Sequence, residues 1–89
     1  MPCTRQIRVR GRVQGVWFRA WTVETARELG LHGWVRNLPE GTVEAHVEGE
    51  LHAVKRLIEA MEEGPTRARV ERIDCREVDC KGFTSFERR

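Results

Sequence analysis

Hydrophobic and polar residues alternate from Thr4 to Val13. Ile7, Val9 and Val13 share one side with Gly11, while Gln6, Arg8, Arg10 and Arg12 share the other. Period two predicts a half-buried strand. Gln14 to Phe18 breaks the alternation and reads as a loop. From Arg19 to Leu29 the period lengthens, with Ala20, Val23, Ala26 and Leu29 inward, and Gly30 stands where a glycine ends a helix. Leu31 to Leu38 and Thr42 to Glu48 read as strands joined by the turn Pro39-Glu40-Gly41, with Val43, Ala45 and Val47 inward on the second. Glu50 to Glu63 carries the clearest helical stripe, Leu51, Val54, Leu57, Ile58 and Met61, and Gly64-Pro65 stops it. Ala68 to Val78 is a further strand whose apolar parity changes between Val70 and Ile73, which predicts a bulge. Phe83 to Glu87 reads as a short last strand.

This β-α-β-β-α-β order predicts an α+β fold, the ferredoxin-like βαββαβ sandwich. It is an antiparallel sheet with two helices on one face and a short extra C-terminal strand. Its first and second strands run the same way, with the third between them. The loop after the first strand and the close of the second then lie at one end of the sheet. Asn37, the only asparagine, sits at that close and shares parity with Leu31, Gly33 and Val35. Asparagine is depleted in strands. The topology turns it toward the helix side and Arg19, 18 residues away in sequence.

The Gln14–Arg19 stretch suits an anion. Gly15 permits a positive φ or a close ligand approach. Successive backbone N–H groups leading into a helix N-terminus favour negative charge. Arg19 adds a permanently charged planar fork. The stretch lacks the Gly-Lys-Ser/Thr ending of a Walker loop. Plainer readings stand beside this one: a solvated arginine on a first helical turn, and an asparagine closing an Asx-type turn.

The 89 residues fit one domain, 1–89. With 39% hydrophobic and 34% charged residues the chain is globular rather than disordered. No apolar run approaches the roughly 18 residues of a membrane span, and the start of the chain lacks a signal peptide's apolar core. The expected location is the cytoplasm. A net charge of +2 does not by itself argue for nucleic acid. Cys3, Cys75 and Cys80 are an odd count with no histidine near Cys75 and Cys80, so free thiols are expected, no metal site, and a buried Cys75. His32, His46 and His52 are scattered and read as structural or surface residues. Trp17, Trp21 and Trp34 read as packing or rim residues, and Arg8, Arg10 and Arg12 as a solvated strand face.

Gly11-Arg12-Val13-Gln14-Gly15-Val16-Trp17-Phe18-Arg19, and Gly33-Trp34-Val35-Arg36-Asn37 followed by Gly41-Thr42-Val43, closely resemble the two signatures of the acylphosphatase family. The resemblance extends over nearly the whole chain. It implies hydrolysis of acyl phosphates to a carboxylate and inorganic phosphate. It makes Arg19 the phosphate-binding arginine and Asn37 the residue that positions the attacking water. The backbone N–H groups of Gln14, Gly15, Val16, Trp17 and Phe18 would complete the cradle. It calls for no cofactor or metal, for a small-molecule acyl phosphate as substrate, and for inorganic phosphate as product and inhibitor. A monomer is sufficient, and no nucleic acid or membrane partner is expected.

Two other readings are weaker. RNA-recognition modules share this fold but place aromatics on the open face of strands one and three. Here those positions hold Gln6, Arg8 and Arg10, and Glu44, His46 and Glu48. The other reading is a module like the acylphosphatase-like front of hydrogenase-maturation carbamoyltransferases.

Overall fold

The computed structural model describes residues 1–89. The elements are β1 (Pro2–Arg12), α1 (Phe18–Glu28), β2 (His32–Asn37), β3 (Val43–Glu50), α2 (Leu51–Glu63), β4 (Arg69–Glu77) and β5 (Phe86–Arg88). They form one five-stranded sheet in the order β4-β1-β3-β2-β5. β3 lies between β1 and β2, antiparallel to both. β5 pairs with β2 in parallel, Gly33 opposite Phe86 and Val35 opposite Arg88. The sheet is therefore mixed, not antiparallel throughout, and the last strand begins at Phe86 rather than Phe83. A three-residue strand has too little alternation to declare its partner or its direction.

One core holds the two helices on one face of the sheet. Val23, Ala26, Val54, Leu57 and Met61 cluster with Ile7, Val9, Val35, Val43, Ala45 and Val47. Each large side chain buried there contributes about 1.5–3 kcal/mol. The helical stripes differ slightly from expectation. On α1 the buried residues are Phe18, Thr22, Val23 and Ala26, whereas Ala20 and Leu29 are half-buried. Thr22 tolerates burial because its hydroxyl donates to the Phe18 carbonyl at 2.8 Å. Gly30, at φ 72°, ends α1; its N–H and that of Leu31 donate to the carbonyls of Arg27 and Ala26. That pairing is a Schellman cap. On α2, Leu51 and Ile58 are half-buried at the stripe's edge.

The bulge lies where parity predicts it. Arg10 pairs with Arg72 and Gly11 with Val70, so Glu71 is the unpaired residue of β4. Cys75 is exposed rather than buried, because β4 is an edge strand with little cover; Cys3, Cys75 and Cys80 are free thiols. Burial of the sulfur environment, with Asp74 and Glu62 nearby, still raises the Cys75 thiol pKa against the pull of Arg5.

The face away from the helices is partly covered. The segment between β4 and β5 crosses it, and the backbone N–H groups of Lys81 and Phe83 donate to the Glu48 carboxylate at 2.6 and 3.0 Å. His46 Nε2 lies 2.7 Å from the same carboxylate. Glu44 accepts from Arg36 Nε and Nη2 at 2.9 and 2.6 Å, from Arg8 and from Gln6. Glu44, His46 and Glu48 are thus buried, on positions that alternation alone assigns to solvent.

Candidate active site

β1 ends at Arg12 and the chain turns through residues 13–17 into α1. Val13 and Val16 are buried and pin the loop to the core. Gly15 takes φ 72° and Trp17 φ 73°. Glycine adopts that conformation at little cost. Tryptophan does not, and it is the only non-glycine residue here with positive φ. Trp17 is also 68% exposed.

These turns leave the loop's donors unpaired. The N–H groups of Gln14, Gly15, Val16 and Trp17 donate to no backbone carbonyl. Those of Phe18, Arg19 and Ala20 belong to the first turn of α1, where no partner exists within the helix. No side chain caps this helix and no acidic residue stands in its first turn. The positive end of its dipole is left uncompensated.

Arg19 projects from that first turn. Its Nη1 donates to the Arg89 carbonyl at 2.9 Å, and its other guanidinium N–H groups have no protein acceptor. Arg27 on the same helix donates from Nε to the Phe86 carbonyl at 3.1 Å. Two arginines therefore fasten β5 and the residue after it to α1, and the first of them keeps a free donor edge.

Asn37 closes β2, paired with Val43 on β3. Its Oδ1 is the only buried side-chain oxygen or nitrogen without a hydrogen-bond partner. A buried unpaired amide oxygen costs about 1–3 kcal/mol. Gly15, Trp17, Phe18, Arg19, Asn37 and Arg88 surround one cavity of about 250 Å³. Strand parity and topology thus bring Asn37 to Arg19, as read from the sequence. Arg19, Arg88 and the unpaired amides of Gly15 and Trp17 give the lining donors that suit an anion, and no carboxylate is among the lining residues.

The expected cradle is one of backbone N–H groups, and two of its residues, Gln14 and Val16, are not among those that line this cavity. Val16 packs its side chain into the core, so only its backbone is available. Gln14 turns away from the cavity: its Nε2 donates to the carbonyls of Leu38 and Thr42, both at 2.8 Å. Leu38 follows Asn37, and its own N–H donates to the Thr42 carbonyl at 2.9 Å. The Gln14 side chain therefore ties the loop to the hairpin that carries Asn37. Nothing in the sequence pattern marks this bond, nor the arrival of Arg88 at the cavity from the last strand.

The chain matches the family model described as Acylphosphatase over residues 5–88. It is 48% identical over 85 residues to an acylphosphatase of Methanothrix thermoacetophila, covering 96% of this chain and 93% of that protein. The fold superposes on the structure of an acylphosphatase from Coxiella burnetii with a TM-score of 0.96 at 36% identity, over 99% of this chain and 93% of that one. The crystal structure of acylphosphatase from Bacillus subtilis gives a TM-score of 0.93 at 35% identity, over 98% and 97% of the two chains. Sequence and backbone agree from end to end of the matched region, and the chain belongs to the acylphosphatase family.

Proposed function

We propose that this chain, as a single domain over residues 1–89, hydrolyses the carboxyl-phosphate bond of acyl phosphates, giving a carboxylate and inorganic phosphate. Family membership supports the reaction class. One observation carries the assignment of the site: loop residues with unpaired amides, Arg19 with its free edge and Asn37 all line one cavity.

The chemistry follows from these groups. The N–H groups of residues 14–18 and the Arg19 guanidinium hold the phosphoryl oxygens. The Asn37 side-chain amide, which can both donate to and accept from a water, aims that water's lone pair toward phosphorus. The water oxygen bonds to phosphorus, the bond from phosphorus to the acyl oxygen breaks, and its electron pair leaves on the carboxylate. The water's proton passes to a phosphate oxygen. A carboxylate is a good leaving group, so positioning and charge stabilisation supply most of the acceleration. No step calls for a metal ion, an organic cofactor or a covalent phosphoenzyme.

The protein works as a cytoplasmic monomer, with no nucleic acid or membrane partner. Its cysteines are free thiols, which suits a reducing compartment, and no helix is long and apolar enough to cross a membrane.

The test is release of inorganic phosphate from acetyl phosphate, with added inorganic phosphate as a competitive inhibitor. In heavy-oxygen water the label is expected in phosphate. No turnover overturns the proposal; label in acetate overturns attack at phosphorus.

A further inference from the structure

The last strand places a charge where alternation asks for an apolar residue. Phe86 is 1% exposed and packs in the core under the helices. Side chains alternate along a strand, so Arg88 stands on that same side of the sheet. Parallel pairing sets Arg88 beside Val35, and the next residue of β2 on this face is Asn37. There Arg88 joins Arg19 and Asn37 in lining the cavity of about 250 Å³.

The neighbours of Arg88 are committed elsewhere. Glu87 accepts from Ser85 Oγ at 2.8 Å and lies 3.5 Å from Arg27 Nη2. The Arg89 guanidinium lies over the Trp34 and Phe83 rings, 4.9 and 5.6 Å from their centres. The Arg89 backbone is fixed as well: its N–H donates to the Val35 carbonyl at 2.8 Å, and its carbonyl accepts from Arg19. The strand is thus held around Arg88, whose own guanidinium is in no hydrogen bond or ion pair with the protein.

An exposed arginine on an edge strand is ordinarily just solvated. This one is set against like charge. Arg19 lines the same cavity, as do Gly15 and Trp17 with their unpaired amides, at the positive end of α1. No carboxylate lines it to offset them. Gathered positive charge repels itself in the empty site, and an arriving dianion relieves that repulsion. Two guanidinium groups can each offer N–H pairs to its oxygens. We infer that Arg88 is a second phosphate-binding residue: it donates to a non-bridging oxygen of the phosphoryl group held by Arg19 and the loop, and it gives the site a preference for dianions over monoanions. This role rests on the hydrolase reading above. The phosphoryl oxygens carry charge before and during the transfer, so Arg88 acts on binding more than on the chemical step.

The experiment measures acetyl phosphate kinetics, and competitive inhibition by sulfate and by perchlorate, in the wild type, Arg88→Met, Arg88→Gln and Arg88→Lys at constant ionic strength. Both inhibitors are tetrahedral, but sulfate is a dianion and perchlorate a monoanion. Arg88→Met is expected to raise KM and the sulfate inhibition constant about tenfold, the scale of one hydrogen bond to a charged group. Its kcat should stay within about threefold of the wild type. Perchlorate inhibition should weaken by no more than about threefold, because the Coulomb attraction scales with the ion's charge. Arg88→Lys should restore most of the sulfate preference, since it returns the charge without the fork. If Arg88→Met does not fold, Arg88→Gln carries the same expectations. An unchanged KM and sulfate constant in the folded variants, or equal weakening of both inhibitors, overturns the second phosphate-binding role while hydrolysis stands. A wild type without turnover overturns the hydrolase reading, and the role of Arg88 with it.

Discussion

Two regions of this small protein hold buried polar groups, and they treat them in opposite ways. On the outer face of β3, every such group is paired. Glu48, 5% exposed, takes backbone N–H groups from the crossing segment and sits against His46. Burial pushes its carboxyl up, but these donors and the Cys80 thiol outweigh that and hold its pKa at about 2. Glu44, 3% exposed, is likewise raised by burial and pulled below the ordinary range by Arg36, Arg8 and Gln6. At the β1–α1 loop, by contrast, N–H groups and the Asn37 oxygen stay unpaired. A saturated network holds the fold together, whereas an unsaturated one is prepared for something to arrive. Variants in the first region should cost stability, and variants in the second should cost turnover.

The largest effect is expected at Arg19. Arg19→Ala should lower kcat/KM for acetyl phosphate at least 10²- to 10³-fold, about the loss from removing one charge-stabilising donor. Arg19→Lys should recover little, because an ammonium does not reproduce the fork. A folded Arg19→Ala protein with most of its turnover would break the comparison. Asn37→Ala should lower kcat severely while the inhibition constant for inorganic phosphate stays near the wild-type value. Asn37 acts on the water, whose placement matters as the new bond forms, and such a loss falls on kcat. Its melting temperature should hold or rise, since an unpaired buried oxygen is removed. Collapse of phosphate affinity in the folded variant would make Asn37 a phosphate ligand instead.

Gln14 tests the bond between the two parts of the site. Gln14→Ala leaves the loop amides in place but frees the hairpin. A roughly 10- to 100-fold fall in kcat is expected from misplacement of the water, with a smaller change in phosphate inhibition. Equal losses in both would mean that Gln14 merely holds the loop's shape.

The smallest effect on turnover is expected in the paired region. Glu48→Gln should cost about 1–3 kcal/mol of stability, seen by denaturant unfolding, with turnover at moderate temperature near the wild-type rate. The pH dependence carries the same signature. Glu48 titrates near 2 in the folded protein and at about 4.3 when unfolded. Its contribution is therefore complete above the unfolded value and is lost as pH falls through that window. The wild type should lose stability across it, and Glu48→Gln should lose less.

Alternation and helical period made most of the fold legible, including the bulge at Glu71 and the turn of Asn37 toward Arg19. What stayed hidden depends on contacts distant in sequence. Glu44 and Glu48 alternate like solvent-facing residues, and only the crossing segment and the arginines bury them. Gln14 gives no periodic sign that its amide reaches Leu38 and Thr42. The parallel pairing of β5 brings Arg88 to the cavity, and three residues carry no pattern from which to read it. Trp17 reads in the sequence as a packing or rim aromatic, and its left-handed backbone stays hidden there because no one-dimensional pattern reports φ.

The most direct test of the account is a titration of the folded protein with inorganic phosphate, followed residue by residue through its amide NMR signals. The account predicts saturable shifts concentrated in the backbone amides of residues 14–19 and the Asn37 side chain, with the amides of β4 and the Arg8–Arg10 stretch nearly still. Shifts centred on the outer arginines Arg8, Arg10 and Arg76, with residues 14–19 unmoved, would contradict it.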